Sequence, residues 1–121
     1  MNKQIRQGDL FLIEAGNLDL SKFKKLAKSP RITLLDGEAT GHCHTVSGEN
    51  ATLFAADDLM TALFKQQVKV TDNDIQLVGV LDTGANMLTH QEHGAIEVEP
   101  GIHWVVRQRE YTPKAIVRVM D

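Results

Sequence analysis

His42 and His44 stand one residue apart in "GEATGHCHTV", residues 37–46, directly after a Thr-Gly step. On a strand, residues i and i+2 project from the same face, so these two imidazoles point together while Cys43 points away. Two rings on one face can converge on a single ion at the roughly 2.0–2.1 Å of a zinc–imidazole bond. A second group lies in "LTHQEHG", where His90, Glu92 and His93 precede Gly94. A separation of three brings His90 and His93 together on a turn but not on a flat strand. Neighbouring imidazoles repel when protonated, and a metal removes that repulsion. The candidate ligands are therefore His42, His44, His90 and His93, with Glu92 as a further ligand or an acid–base group. Imidazole and carboxylate without thiolate suit zinc, iron, nickel or manganese and do not choose among them. The competing reading keeps these histidines as hydrogen-bonded structural residues. His103, after Pro100-Gly101, stands apart from both pairs.

Other chemistries find less support. Ser21, Ser29 and Ser47 are the only serines, and none sits in a nucleophile-elbow context. No glycine loop of the phosphate-binding or dinucleotide kind is present. Metal-free proton transfer by Glu92 with a histidine remains open, because imidazole exchanges protons near neutral pH. In "RQREY", Arg107 and Arg109 share a strand face and suggest an anion or partner site. Charges that keep a strand edge solvated explain them as well.

The elements that must position these residues are mostly short and extended. "KQIRQGDLFLIEAG" reads as an opening strand with a bulge or turn at Gln7-Gly8-Asp9. In "NLDLSKFKKLAKSP", Leu20, Phe23, Leu26 and Ala27 repeat at helical spacing behind a cap at Asp19, which predicts a helix over 20–28 ending before Pro30. "RITLLDGEA" is a strand. "HCHTVSGENATLFAA" reads as a hairpin reversing at "SGEN". "DDLMTALFKQQ" predicts a second helix, capped by Asp57 or Asp58, with Leu59, Met60, Leu63 and Phe64 inward. "VKVTDNDIQLVGVLD" reads as a hairpin at "TDND", and two or three strands follow with a reversal at Pro100-Gly101. "KAIVRV" is the closing strand. Such a pattern predicts a mainly β (α+β) fold: a small antiparallel β barrel or sandwich with one or two short helices.

Composition narrows the partners. At 121 residues and 42% hydrophobic content, the chain reads as one globular domain, residues 1–121. Its apolar runs are too short to cross a bilayer, so no membrane partner is expected. "MNKQIRQGD" lacks a signal peptide's apolar stretch, and a lone cysteine suits a reducing cytoplasm. Net charge is −3, divided into +4 over residues 1–31, −9 over 32–100 and +2 over 101–121. The basic part is mostly "KFKKLAK", read as the wet face of the first helix. With six Phe, Trp and Tyr residues in the whole chain, this argues against nucleic-acid binding. A protein partner or a homo-oligomer is left open, as is the identity of any small-molecule ligand.

Taken in order, "RQGDLFL", "GEATGHCHTV", "LTHQEHGAIEVEPG" and "VVRQREY" resemble the pattern of a family of small bacterial proteins of unknown function. The resemblance runs from Arg6 to Tyr111. It implies a shared fold and a site at His42, His44, His90, Glu92 and His93, and it implies no activity. A second resemblance, to cupins, rests on His42, His44 and Glu49 and on "PGIH" at 100–103. It implies a metal-binding β barrel. The chain departs from that pattern at Ala56, where the cupin motif has glycine, and Glu49 falls in "SGEN". Two function classes follow: a metal-dependent enzyme, or a non-catalytic accessory protein that works through partners.

Overall fold

The computed structural model describes residues 4–36, 43–70, 75–91, 93–108 and 117–119. Strands β1 (Gln4–Gln7) and β2 (Leu10–Glu14) form a tight hairpin. Two long strands follow, β3 (Lys25–Asp36) and β4 (Cys43–Ala55), then helix α1 (Asp58–Gln67) and β5 (Val68–Val70). The remaining strands are β6 (Ile75–Thr83), β7 (Asn86–Thr89), β8 (Ile96–Val98), β9 (Gly101–Gln108) and β10 (Val117–Val119).

Eight strands form one antiparallel sheet in the order β1-β2-β9-β6-β4-β7-β8, with β3 beside β4. This mainly β sheet nearly closes into a barrel, the architecture the strand pattern predicts. β5 pairs with β10 in a separate two-stranded ribbon. Among the described residues β5 does not pair with β6 as the expected hairpin would have it, and its "TDND" turn lies outside them.

β4 organises the sheet. One edge pairs with β3 along its length, while the other pairs first with β7 (Thr45↔Thr89) and then with β6 (Ala51↔Thr83). "SGEN" does not reverse the chain. Gly48, with φ 141°, lets β4 bend while continuing, and Glu49 accepts a hydrogen bond from the Ala85 N–H at 3.0 Å. That contact fills the step where β6 gives way to β7.

The central strands are apolar on both faces, which explains the unbroken "LFLI". Leu10 and Leu12 join Val46, Leu53, Leu81, Leu88 and Val105 inside the barrel. Phe11 and Ile13 face outward and pack with Phe54, Trp104 and Val106 beneath α1. The helix contributes Met60 and Phe64, and Phe64 meets Trp104 edge-to-face at 5.4 Å. Trp104 Nε1 donates to Gln67 Oε1 at 3.1 Å, tying the helix end to the sheet. Burying each such side chain stabilises the fold by roughly 1.5–3 kcal/mol.

Two helical expectations need correction. Asp19 caps only a 3-10 turn at Leu20–Lys22, and β3 begins at Lys25. Nine residues of this twelve-residue strand pair with β4, whereas the supposed helical stripe is not buried in place: Leu26 is 56% exposed. Pro30 sits at a register shift of this outer strand, where its missing N–H costs no ladder bond. Lys22, Lys24, Lys25 and Lys28 are exposed, but on the turn and strand. In α1 the cap is Asp57, whose carboxylate accepts from the Met60 N–H at 2.7 Å. Leu59 points outward at 50% exposure, since the helix buries only a narrow stripe centred on Met60 and Phe64.

Candidate histidine site

The site forms where the β1–β2 turn meets the ends of β4 and β7. Two residues, Gly8 and Asp9, join Gln7 to its partner Leu10. Gly8 has φ 58°, the positive angle that a type II′ hairpin needs at its first central position. Arg6 Nε donates to Gly8 O at 3.1 Å, and the Gln108 N–H donates to Asp9 O at 2.9 Å, so both sides of the turn are fastened. Gln7 faces the barrel interior with Leu10, and Asp9 extends beside it.

On the opposite side, the last β4–β7 pair is Thr45↔Thr89. One step further, His44 and His90 face each other, with ring centroids 4.4 Å apart. His93 completes the group at 4.7 Å from His90 and 6.3 Å from His44. Two imidazoles bound at a tetrahedral angle to one zinc ion have centroids about 5.2 Å apart; His44–His90 and His90–His93 lie inside that separation, and His44–His93 lies beyond it. Gly8 leaves the room for this packing. A β-carbon there would stand 2.7 Å from His93 Nε2 and 3.4 Å from His44 Cε1.

His44 is fully buried, and both of its ring nitrogens meet protein oxygens. Nδ1 lies 2.8 Å from Gln7 Oε1, and Nε2 lies 2.9 Å from Asp9 Oδ1. Gln7, itself buried, donates from Nε2 to Leu88 O at 3.1 Å and to Gly94 O at 2.9 Å. One side chain thus joins β1 to β7 and to the segment carrying His93. Burial pushes the His44 imidazole below its ordinary value, opposed by the hydrogen bond and charge of Asp9 and reinforced by His93. Asp9 Oδ2 faces Arg107 Nε at 3.6 Å, and among the described residues neither atom has a hydrogen-bond partner.

The structure brings His44, His90 and His93 together; His42 and Glu92 lie outside the described residues. Among those described, no group of three or more His, Cys, Asp or Glu side chains is arranged to hold a metal ion. Cys43 is partly exposed, and its N–H donates to Gln91 Oε1 at 2.7 Å. His103 stands elsewhere, with Nε2 donating to Glu99 O at 2.8 Å. Arg107 is not on a solvated edge, because β9 pairs with both β2 and β6.

The histidine pattern did not point to Gln7 or Asp9, whose signal was the polar Gln-Gly-Asp step set against a strand buried on both faces; Arg107 had stood out only in "RQREY", as part of an anion or partner site. Polar side chains flanking such a turn must find partners at the barrel's end.

No curated protein and no solved structure matches the chain significantly. Residues 6–109 match the model of a domain of unknown function, DUF8820, and the chain belongs to that family.

Proposed function

We propose that this one-domain protein binds a divalent transition metal (zinc, iron, nickel or manganese) at the end of its barrel and acts as a small metal-dependent enzyme of the cytoplasm. His44, His90 and His93 are the imidazole ligands, joined by His42 from the adjoining segment. Asp9 supplies a carboxylate, and Glu92 is the base or an additional ligand. When bound, the ion would polarise a water or substrate oxygen.

One observation carries this reading: the rings of His44, His90 and His93, from two segments, lie with centroids 4.4, 4.7 and 6.3 Å apart, and the carboxylate of Asp9 stands 2.9 Å from His44 Nε2. Protonated imidazoles this close repel one another, and a bound cation in place of the protons removes that repulsion. The test is elemental analysis of the purified protein, followed by equilibration with each of the four ions. About one ion per chain is expected, lost in His42→Ala/His44→Ala and kept in Cys43→Ser. A protein that binds none of the four ions would end the metal reading.

A second reading draws on the engagement of both His44 nitrogens by Gln7 and Asp9. On that reading the histidines hold the loops, and the protein is a non-catalytic accessory that works through a protein partner or as a homo-oligomer. Neither nucleic acid nor a membrane is the expected partner. Among the described residues, no helix is long and apolar enough to cross a membrane.

A further inference from the structure

We propose that the end of the barrel opposite the histidine cluster binds a primary alkylammonium group, held by Glu14 and His103 in a cavity between the β1–β2 hairpin and β8. This site does not depend on the metal reading above.

Strand alternation builds the cavity. In the β2–β9 pairing, Leu10 faces Arg107 at the histidine end and Glu14 faces His103 at the other. Four residues of strand separate the two ends, about 13 Å at 3.3 Å per residue. Leu12 and Val105 belong to the core inside the barrel, and a period of two puts Glu14 and His103 on that same inward face. Beyond Leu12 the apolar core stops, and these two polar side chains take its place. Opposite them, β8 pairs with β7 and, among the described residues, not with β1. The gap is a cavity of about 90 Å³ lined by Ile5, Leu12, Glu14, Glu97, Glu99 and His103.

The chemistry of this lining is one-sided. Ile5 and Leu12 supply an apolar wall, and ionised carboxylates accept hydrogen bonds without donating any. His103 Nε2 donates to Glu99 O at 2.8 Å, because a carbonyl only accepts. In the neutral ring Nδ1 therefore carries the lone pair. Among the described residues Nδ1 has no hydrogen-bond partner, although His103 is only 7% exposed. A polar atom so placed calls for a donor. No lysine or arginine among the described residues lines the cavity to provide one.

The missing group is thus a positively charged donor with a short apolar tail. A bare metal ion is a poorer match, since among the described residues no three His, Cys, Asp or Glu side chains are arranged to hold one. An ammonium nitrogen stands about 2.7–2.9 Å from its acceptors, farther than a metal stands from its ligands, and it offers three N–H directions. The cavity has the volume of about three waters, room for the ammonium and the first carbons of a chain lying on Ile5 and Leu12.

The experiment titrates n-butylammonium chloride into the full chain at pH 8 and constant ionic strength, followed by NMR of nitrogen-15-labelled protein. The amine keeps its charge there, since alkylammonium groups titrate at about 10.4. The backbone amides of Ile5, Glu14 and His103 should shift saturably, and those of His44 and His90 should not. Tetramethylammonium has the charge without an N–H, and butyrate has the tail with the opposite charge; neither should shift them. No saturable shift with n-butylammonium, or equal shifts with tetramethylammonium, would overturn the proposal. Glu14→Gln keeps the side chain's shape and removes its charge, so binding should weaken about tenfold or more. His103→Phe removes the Nδ1 acceptor and should weaken binding as well. Unchanged affinity in Glu14→Gln would refute the site, and should His103→Phe not fold, Glu14→Gln and the ligand series still decide. Nα-acetyl-lysine amide then separates two sources of one chemistry. Tighter binding than n-butylammonium assigns the cavity to a partner's lysine side chain, and equal or weaker binding assigns it to a free amine.

Discussion

The carboxylate of Asp9 and the imidazole of His44 lie 2.9 Å apart, although 35 positions separate them in the chain. Each depends on a different strand pairing, so the contact reports whether β1, β2, β4 and β7 have all assembled. His44→Ala leaves Gln7 Oε1 and Asp9 Oδ1 buried without a partner and opens a cavity. A loss of about 2–4 kcal/mol is expected in urea unfolding. A loss below about 0.5 kcal/mol would show that these contacts do not hold the barrel's end.

Stability should also depend on pH through the same ring. Burial lowers the folded-state value of His44 below 6.5, so the folded chain binds fewer protons than the unfolded chain as pH falls. The stabilisation is complete above about pH 6.5 and is lost as pH falls from there through the folded value. Unfolding free energies measured from pH 8 to 5 should fall more steeply for the wild type than for His44→Gln. Parallel curves would remove His44 as the cause.

Gly8 and Gly16 make a matched pair. Both have positive φ, 58° and 70°, but only at Gly8 would a β-carbon meet another group, His93 Nε2. Either change to alanine should cost about 1–2 kcal/mol from backbone strain. His93 is exposed and can swing away, so the extra effect of Gly8→Ala should fall on the site. Ion affinity should drop in Gly8→Ala and hold in Gly16→Ala; equal affinities would place His93 outside the site.

Ion binding should require neutral imidazoles. Affinity measured by calorimetry should weaken as pH drops through roughly 6.5. Binding unchanged between pH 7.5 and 5 would point to carboxylates in place of histidines.

The exposed lysines at 22, 24, 25 and 28 should solubilise the edge of the barrel without holding nucleic acid. Labelled DNA and RNA should show no salt-sensitive shift at low micromolar protein. A shift abolished by changing the four lysines to glutamine would reverse this expectation.

The sequence carries the β-rich fold because the short apolar runs at Leu10–Glu14 and Gly101–Gln108, bounded by turn residues, suit strands buried on both faces. It misled at residues 20–28, where apolar spacing is too short to separate one helical turn from an edge strand. Only the distant partner β4 decides between them. At "SGEN" a turn-like composition marks a bend, because whether a strand reverses or changes neighbours depends on β6 and β7. The proximity of His44, His90 and His93 could be suspected from their local pairing. The part played by Gln7 and Asp9 could not, since it depends on β1 lying across the barrel from β7.

The pairing of β2 with β9 has a consequence for when the protein can fold. Leu10 pairs with Arg107 and Ile13 with Trp104, so the β1–β2 hairpin gains its neighbour only after residues 104–107 have been synthesised. Until then "LFLI" offers two apolar faces and an open edge to whatever is nearby. Pairings this remote also slow closure. The newborn chain therefore passes through an interval of exposed strand, and chaperone demand in the cell should fall on its first fifteen residues more than on its histidines.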